Sequence, residues 1–176
     1  MNTEQQKIEY KSLQKIRTGE KGFKELSTTC VALANAQGGQ IMIGVEDKTR
    51  KPAPNQIIPQ EEANSAVTRL RGLCFNVGLA VGDVCEDETG SQYFTITVFP
   101  SLHSYATTSD GKMYIRVADK CEPVRSEDIQ RVGEEKGAYQ WELFTTMFEL
   151  DDTTKSNLTK FANDIRQSDR VKQHIK

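Results

Sequence analysis

The sequence predicts an α+β fold, in which a mixed β-sheet is flanked by helices and followed by a helical C-terminal extension. Three observations support this fold class. The first half alternates strand and helix patterns, residues 75–99 carry two strand patterns around an acidic turn, and apolar spacing is helical from about residue 139 onward. Of the 176 residues, 36% are hydrophobic and 27% are charged, which is enough apolar material for one globular core.

The first two predicted strands enclose a helix. Residues 8–13 alternate apolar and polar side chains, so that Glu9 and Lys11 share one face of a half-buried strand. Apolar residues recur every three or four positions over residues 20–36, which predicts an amphipathic helix that ends at a glycine pair. The almost wholly apolar run 40–45 is typical of a buried central strand.

The next elements follow a proline-rich break. Residues 60–73 return to helical spacing, and residues 75–84 and 93–99 predict an antiparallel hairpin with a four-residue acidic loop. Residues 113–117 form a further predicted strand, and Ser126 begins a predicted helix with acidic residues in its first turn.

Composition restricts the class of protein. No segment approaches the roughly 18 apolar residues that span a bilayer, and the N-terminus lacks the apolar stretch of a signal peptide. We therefore expect a soluble, cytoplasmic protein with no membrane partner. The cysteines, at positions 30, 74, 85 and 121, form no C-x-x-C pair, so neither a zinc site nor a disulfide framework is indicated and buried thiols are expected.

Two acids end the second predicted strand, where sites in α/β folds tend to lie. Because the strand that begins near Ile8 should pair with this strand, Glu9 could lie close to Glu46 and Asp47. Carboxylates that converge repel one another unless a divalent cation or a basic group lies between them, and Mg²⁺ and Mn²⁺ prefer oxygen ligands. The alternative is a helix-to-strand turn with solvated acids.

Charge alone does not indicate a nucleic-acid partner, because the formal net charge is -2. Residues 7–24 are nevertheless locally basic, with six lysines and arginines against two glutamates. Such runs are most often solvated surfaces. No G-x-x-x-x-G-K-[ST] motif is present, so the sequence predicts no phosphate-binding loop for a nucleotide.

Several short motifs occur in an order that is similar to a known family. They are Glu4 with Glu9-Tyr10-Lys11, the 32–47 helix-to-strand phrase, Phe99-Pro100-Ser101, Tyr114-Ile115-Arg116-Val117, Pro123 and Ser126-Glu127-Asp128-Ile129. Together they resemble the Schlafen AlbA-like (AlbA_2) domain over about residues 4–132. Ala118 and Glu46 depart from the family pattern, in which glycine and aspartate are usual.

The resemblance implies a nucleic-acid-binding domain of bacterial proteins that resemble transcriptional regulators. On that basis DNA or RNA is the expected partner, contacted through backbone phosphates. The basic residues expected to bind it are Lys7, Lys15, Arg17, Lys21, Arg116, Lys120 and Arg125.

Animal relatives in this family include endoribonucleases with two glutamates and an aspartate in the site. The resemblance therefore implies, as an alternative function, a metal-dependent ribonuclease that uses Glu4, Glu9 and Asp47, with Lys11 steadying phosphate charge. Mg²⁺ or Mn²⁺ would be held by Glu4, Glu9, Glu46 and Asp47.

The expected domain organisation is a Schlafen AlbA-like domain over residues 1–135 and a helical extension over residues 136–176, leading to further sequence. The extension carries an aromatic stripe, Trp141, Phe144, Phe148 and Phe161, whose spacing is typical of a packing face. An interaction module is a third candidate function, and a homodimer is a candidate assembly.

Overall fold

The computed structural model describes residues 7–102, 104–129, 132–133 and 152–167. The chain divides into two compact units, Met1–Tyr139 and Gln140–Lys176. The predicted domain boundary after residue 135 stays a prediction. In the described part of the chain, no helix is long and apolar enough to cross a membrane.

Short strands and three helices make up the described part of the first unit. The strands are β1 (Ile8–Lys11), β2 (Gly39–Ile43), β3 (Cys74–Phe75), β4 (Gly78–Val81), β5 (Cys85–Glu86), β6 (Gln92–Phe99), β7 (Thr107–Thr108), β8 (Tyr114–Val117) and β9 (Lys120–Pro123). The helices are α1 (Gln14–Arg17), α2 (Glu20–Asn35) and α3 (Gln60–Leu73), followed by a 3-10 turn at Ser126–Asp128. In the second unit, α4 spans Asp152–Gln167.

The main sheet has the strand order β1-β2-β6-β4, with β5 also paired to β6. Strand β1 is parallel to β2, whereas β6 is antiparallel to β2, β4 and β5. The sheet is therefore mixed, and with α4 present the predicted α+β class with a C-terminal helix is confirmed. Strands β3 and β7 form a separate antiparallel pair, as do β8 and β9.

The core lies between one face of the main sheet and the helices α2 and α3. Its largest fully buried side chains include Ile41 and Ile43 of β2, Phe94 and Ile96 of β6, and Leu26 of α2. Complete burial of a side chain of this size stabilises the fold by about 1.5–3 kcal/mol. The apolar faces that the sequence predicts for these helices and strands thus pack together in one hydrophobic core.

Where the elements differ from prediction, local backbone geometry explains the difference. The predicted 75–84 strand is divided into β3 and β4, because Asn76 adopts a left-handed conformation with φ of 57° between them. Helix α1 and strand β9 were not predicted. Helix α3 has the predicted bounds, and α2 ends one residue early at Asn35.

Candidate nucleic-acid interface

Strand β1, at the edge of the main sheet, places two of the predicted site residues. Glu9 lies opposite Ile41 and Lys11 lies opposite Ile43. Because directly opposed residues share a sheet face, Glu9 and Lys11 lie on the face that the helices cover. The alternation predicted that Glu9 and Lys11 share a face, but not that this face is the core side. Because β1 is an edge strand, both side chains keep partial contact with solvent there.

Glu9 holds two cations. Its Oε1 lies 2.7 Å from Nζ of Lys11, and its Oε2 accepts a hydrogen bond of 2.6 Å from Nη2 of Arg116. The side chain of Arg116 is only 5% exposed, compared with 18% for Glu9 and 24% for Lys11. We call Lys11, Glu9 and Arg116 the Glu9 cluster.

The guanidinium of Arg116 is incompletely hydrogen-bonded. Its Nη1 donates to Sγ of Cys121 at 3.5 Å, and its buried Nε has no hydrogen-bond partner among the described residues. Burial lowers the pKa of Arg116, but the hydrogen bonds to Cys121 and Glu9 outweigh this effect, so that the pKa lies above its ordinary value and the group stays charged. Since this side chain is buried and bound to Glu9, the structure offers it no direct contact with a phosphate.

Three lysines converge on Glu25 of α2. Lys15 Nζ donates to Glu25 Oε2, and this hydrogen bond, with smaller Coulombic contributions from Lys15, Lys21 and Lys11, outweighs burial and lowers the pKa of the Glu25 carboxyl. We call Lys11, Lys15 and Lys21 the basic patch. Sequence reasoning missed Glu25, although its position four residues after Lys21 on a helix indicates a shared face.

Gly22 allows this convergence. A Cβ atom at this position would lie 2.0 Å from the carbonyl oxygen of Lys15, a separation that no side chain permits. The backbone of α1 therefore lies directly against α2, and Lys15 is brought beside Glu25.

Arg17 is bound to another element. Its Nε and Nη2 each donate to the carboxylate of Glu62 at 2.8 Å, and Nη2 also donates to the carbonyl of Ile57 at 3.3 Å. The hydrogen bond to Arg17 lowers the pKa of Glu62 against the effect of burial. This bidentate pair connects α1 to α3, so Arg17 has a structural partner that competes with any phosphate.

The other predicted basic residues are exposed. Lys7 precedes β1, Lys120 begins β9 and Arg125 precedes the 3-10 turn. Their part in binding stays a prediction.

The predicted carboxylate set is only partly described. Glu46 and Asp47 lie in an exposed turn after β2, whereas Glu9 lies opposite the middle of that strand. Among the residues described, no group of three or more His, Cys, Asp or Glu side chains could hold a metal ion. Both Glu9 oxygens already accept from cations, so the described residues do not make a Mg²⁺ or Mn²⁺ site without a further ligand. Glu4 lies outside the described residues, so the complete set stays a prediction.

All four cysteines are free, and two of them are buried as expected. The hydrogen bond with Cys74, together with burial, raises the pKa of the Cys30 thiol well above its usual range. The expectation of four buried thiols is wrong for Cys85, which is exposed, and Cys121 is half-buried. Cys85 lies in the short strand β5, in which both residues are exposed.

Comparison with known proteins places this geometry in a family. The family model described as Schlafen, AlbA_2 matches residues 4–125. Among solved structures, the DIP2311 protein from Corynebacterium diphtheriae is similar, with 16% sequence identity and a TM-score of 0.57. The match covers 95% of this chain but only 35% of that chain, and at this identity it supports the fold alone. No curated protein matches the chain.

Proposed function

We propose that this chain, which belongs to the Schlafen AlbA_2 family, binds the backbone phosphates of DNA or RNA through the basic patch of Lys11, Lys15 and Lys21. The family is consistent with a nucleic-acid-binding or related domain. In this proposal the chain is the nucleic-acid-binding part of a regulatory protein, and the phosphate contacts give affinity without sequence preference.

The observation that carries the proposal is the ion pair of Lys15 with Glu25, beside which Lys21 lies one helical turn away and Lys11 adds Coulombic attraction. Together with the Glu9 cluster, this region holds four positive groups, Lys11, Lys15, Lys21 and Arg116, against three negative ones, Glu9, Glu25 and Glu20 in the first turn of α2. The local excess of one positive charge contrasts with the formal net charge of -2 for the whole chain. At physiological salt, charges act over about 8 Å, so the local excess governs contact with a phosphate.

The N-terminus of α2 lies within this region and adds to its positive potential. Helix α2 begins at Glu20, whose carboxylate offsets part of the helix dipole, and no side chain of the described residues caps it. The free N–H groups of a first helical turn carry partial positive charge that favours anions. This contribution supplements the lysines and does not make a site by itself.

Binding is tested by fluorescence anisotropy of labelled DNA and RNA between 50 and 200 mM salt, a range over which phosphate contacts weaken steeply. We expect a steep loss of affinity with salt, and Lys21→Gln should reduce the slope of log K against log salt by about 0.7–0.9. Glu25→Gln should increase affinity, because it removes the negative charge from the centre of the patch.

The matched control is Lys112→Gln, which removes one positive charge from an exposed ion pair with Asp110 on another loop. It should leave the salt slope unchanged. A flat salt response of the unmodified chain would contradict the proposed function.

One contact favours the alternative function, a ribonuclease. Lys11 lies 2.7 Å from Glu9, so a cation suited to a phosphate lies beside the predicted catalytic carboxylate. Structured RNA incubated with Mn²⁺ should then be cleaved by the unmodified chain and not by Glu9→Ala. Equal RNA integrity with both proteins would exclude this activity.

A further inference from the structure

We infer that Arg116 is a positioning residue of the basic patch, which acts on nucleic acid only through Glu9 and Lys11. This inference rests on the proposed function. Arg116 binds the Glu9 carboxylate and compensates part of its negative charge. The positive charge of Lys11 is therefore only partly neutralised by Glu9 and can attract a phosphate.

Burial separates Arg116 from the residues that could touch a ligand directly. Its side chain is 5% exposed, whereas that of Lys11, on the other oxygen of the same carboxylate, is 24% exposed. The two cations thus contact different oxygens of one carboxylate, and only Lys11 offers appreciable surface. Arg116 can therefore influence a phosphate chiefly by changing how strongly Glu9 attracts Lys11.

The charges of the cluster show why this matters. A pair of Lys11 and Glu9 alone would have no net charge, whereas the Glu9 cluster has a net charge of +1. Its second cation is Arg116, whose acceptors among the described residues are one carboxylate oxygen of Glu9 and the half-buried sulfur of Cys121. Sulfur is a weak acceptor, so Cys121 does not neutralise the guanidinium.

The hydrogen bonding of Arg116 also argues against a purely structural role. A buried N–H without an acceptor destabilises a fold, and the Nε of Arg116 is such a group. Proteins retain costly buried groups of this kind most often where function requires them. Here the retained feature is a fixed positive charge beside Glu9.

The fold holds Arg116 at this place over a long distance in sequence. Strand β8 is fastened to the end of α2, because Asn35 Nδ2 donates to the carbonyl of Tyr114 at 2.9 Å. The bond from Arg116 then reaches Glu9, 107 residues away along the chain. The hairpin of β8 and β9 is thereby connected to the edge strand of the main sheet.

A double-mutant cycle on the full chain tests the inference, with salt-dependent binding of a labelled oligonucleotide as the readout. In the unmodified background, Arg116→Met should lower affinity roughly fivefold, the effect of about one charge near a surface. In the Glu9→Gln background the same substitution should change affinity by less than about twofold, because no carboxylate is left to neutralise Lys11. The salt slope should fall only in the first background.

Three outcomes would overturn the inference. Equal effects of Arg116→Met in both backgrounds would indicate an independent contact with phosphate. No effect in the unmodified background would indicate a structural role only. Salt-independent binding by the unmodified chain would instead remove the proposed function itself, so the two failures are distinguishable.

Controls separate charge from folding. Lys112→Met, measured in both backgrounds, removes an equal charge from the exposed Asp110 pair and should change affinity by less than about twofold. Circular dichroism confirms that each variant is folded. If Arg116→Met does not fold, Arg116→Gln, which keeps a donor for Glu9, takes its place under the same expectations.

Discussion

At the scale of single residues, Gly22 decides whether the basic patch can form. Its Cα lies so close to α1 that an added Cβ would be 2.0 Å from the oxygen and 2.8 Å from the carbon of the Lys15 carbonyl. Both are backbone atoms, so no rotation of a side chain can relieve the contact. Any larger residue must push α1 away from α2 and move Lys15 from Glu25.

Gly22→Ala should therefore destabilise the fold by about 1–3 kcal/mol, as overpacking does, although alanine is the better helix former. Urea denaturation at pH 7 measures this change. The matched control is Gly72→Ala in α3, where nothing lies within 4 Å of the added Cβ. It should stabilise by up to about 1 kcal/mol, and similar effects of both substitutions would contradict the close approach of α1.

At the scale of elements, one buried amide connects the end of α2 to Ala106, directly before β7, and to Tyr114 of β8. Asn35 donates from Nδ2 to the carbonyls of Ala106 and Tyr114 at 2.8 and 2.9 Å, and its Oδ1 accepts from the Ala106 N–H at 2.9 Å. Asn35 is only 5% exposed, so water cannot replace these bonds. Through Tyr114 this amide also sets the position of Arg116.

Asn35→Asp keeps the shape but replaces two donated hydrogen bonds with repulsion between oxygens. We expect a loss of about 2–4 kcal/mol of unfolding free energy at pH 7, since two buried carbonyls lose their donor and a charge is buried. Thermal and urea denaturation measure it. Asn64→Asp on the exposed face of α3 is the control and should stay within about 0.5 kcal/mol of the unmodified chain.

The pair of Arg17 and Glu62, which connects α1 to α3, gives a prediction in pH. The hydrogen bond from Arg17 lowers the pKa of folded Glu62 below the ordinary 4.5, so the stabilisation is complete above pH 4.5 and is lost as pH falls through the folded pKa. Because both side chains are partly exposed, Glu62→Gln should cost less than about 1 kcal/mol at pH 7.

This cost should vanish as pH is lowered through the folded pKa of Glu62, which lies below 4.5, because the carboxyl is neutral in both the folded and the unfolded chain only below that value. Urea denaturation of both proteins over this pH range measures the difference. Glu61→Gln, an exposed neighbour in the same turn of α3, serves as control. A difference between Glu62→Gln and the unmodified chain that stays constant with pH would show that the pair contributes nothing.

At the scale of the whole molecule, the sequence predicted the helices and strands that depend on neighbouring residues. It did not predict the contacts between residues that are distant along the chain. Helix α3 has its predicted bounds because its apolar spacing is local. The bond between Arg116 and Glu9 spans 107 residues, and no periodicity encodes it. The same reason explains why Arg116 was predicted as a phosphate ligand, since its burial depends on strands that pair only in the folded chain.

The second unit gives the last prediction, on assembly. Helix α4 has an apolar stripe at positions 158, 161 and 165, whose side chains are 49%, 62% and 44% exposed. A large apolar side chain gains about 1.5–3 kcal/mol on full burial, so this stripe favours self-association through α4. We expect the chain to associate as its concentration rises, and Phe161→Glu to weaken the association at least about tenfold, because a charge would enter the contact.

Sedimentation velocity over a series of concentrations measures the association. Ile57→Glu, which places a charge at a 70% exposed apolar residue between β2 and α3, should leave it unchanged. If the chain remains monomeric at every concentration, or if both variants weaken association equally, α4 is not the surface that joins two copies. A weakened assembly with unaltered salt-dependent binding would instead show that phosphate contact requires only the basic patch of one copy.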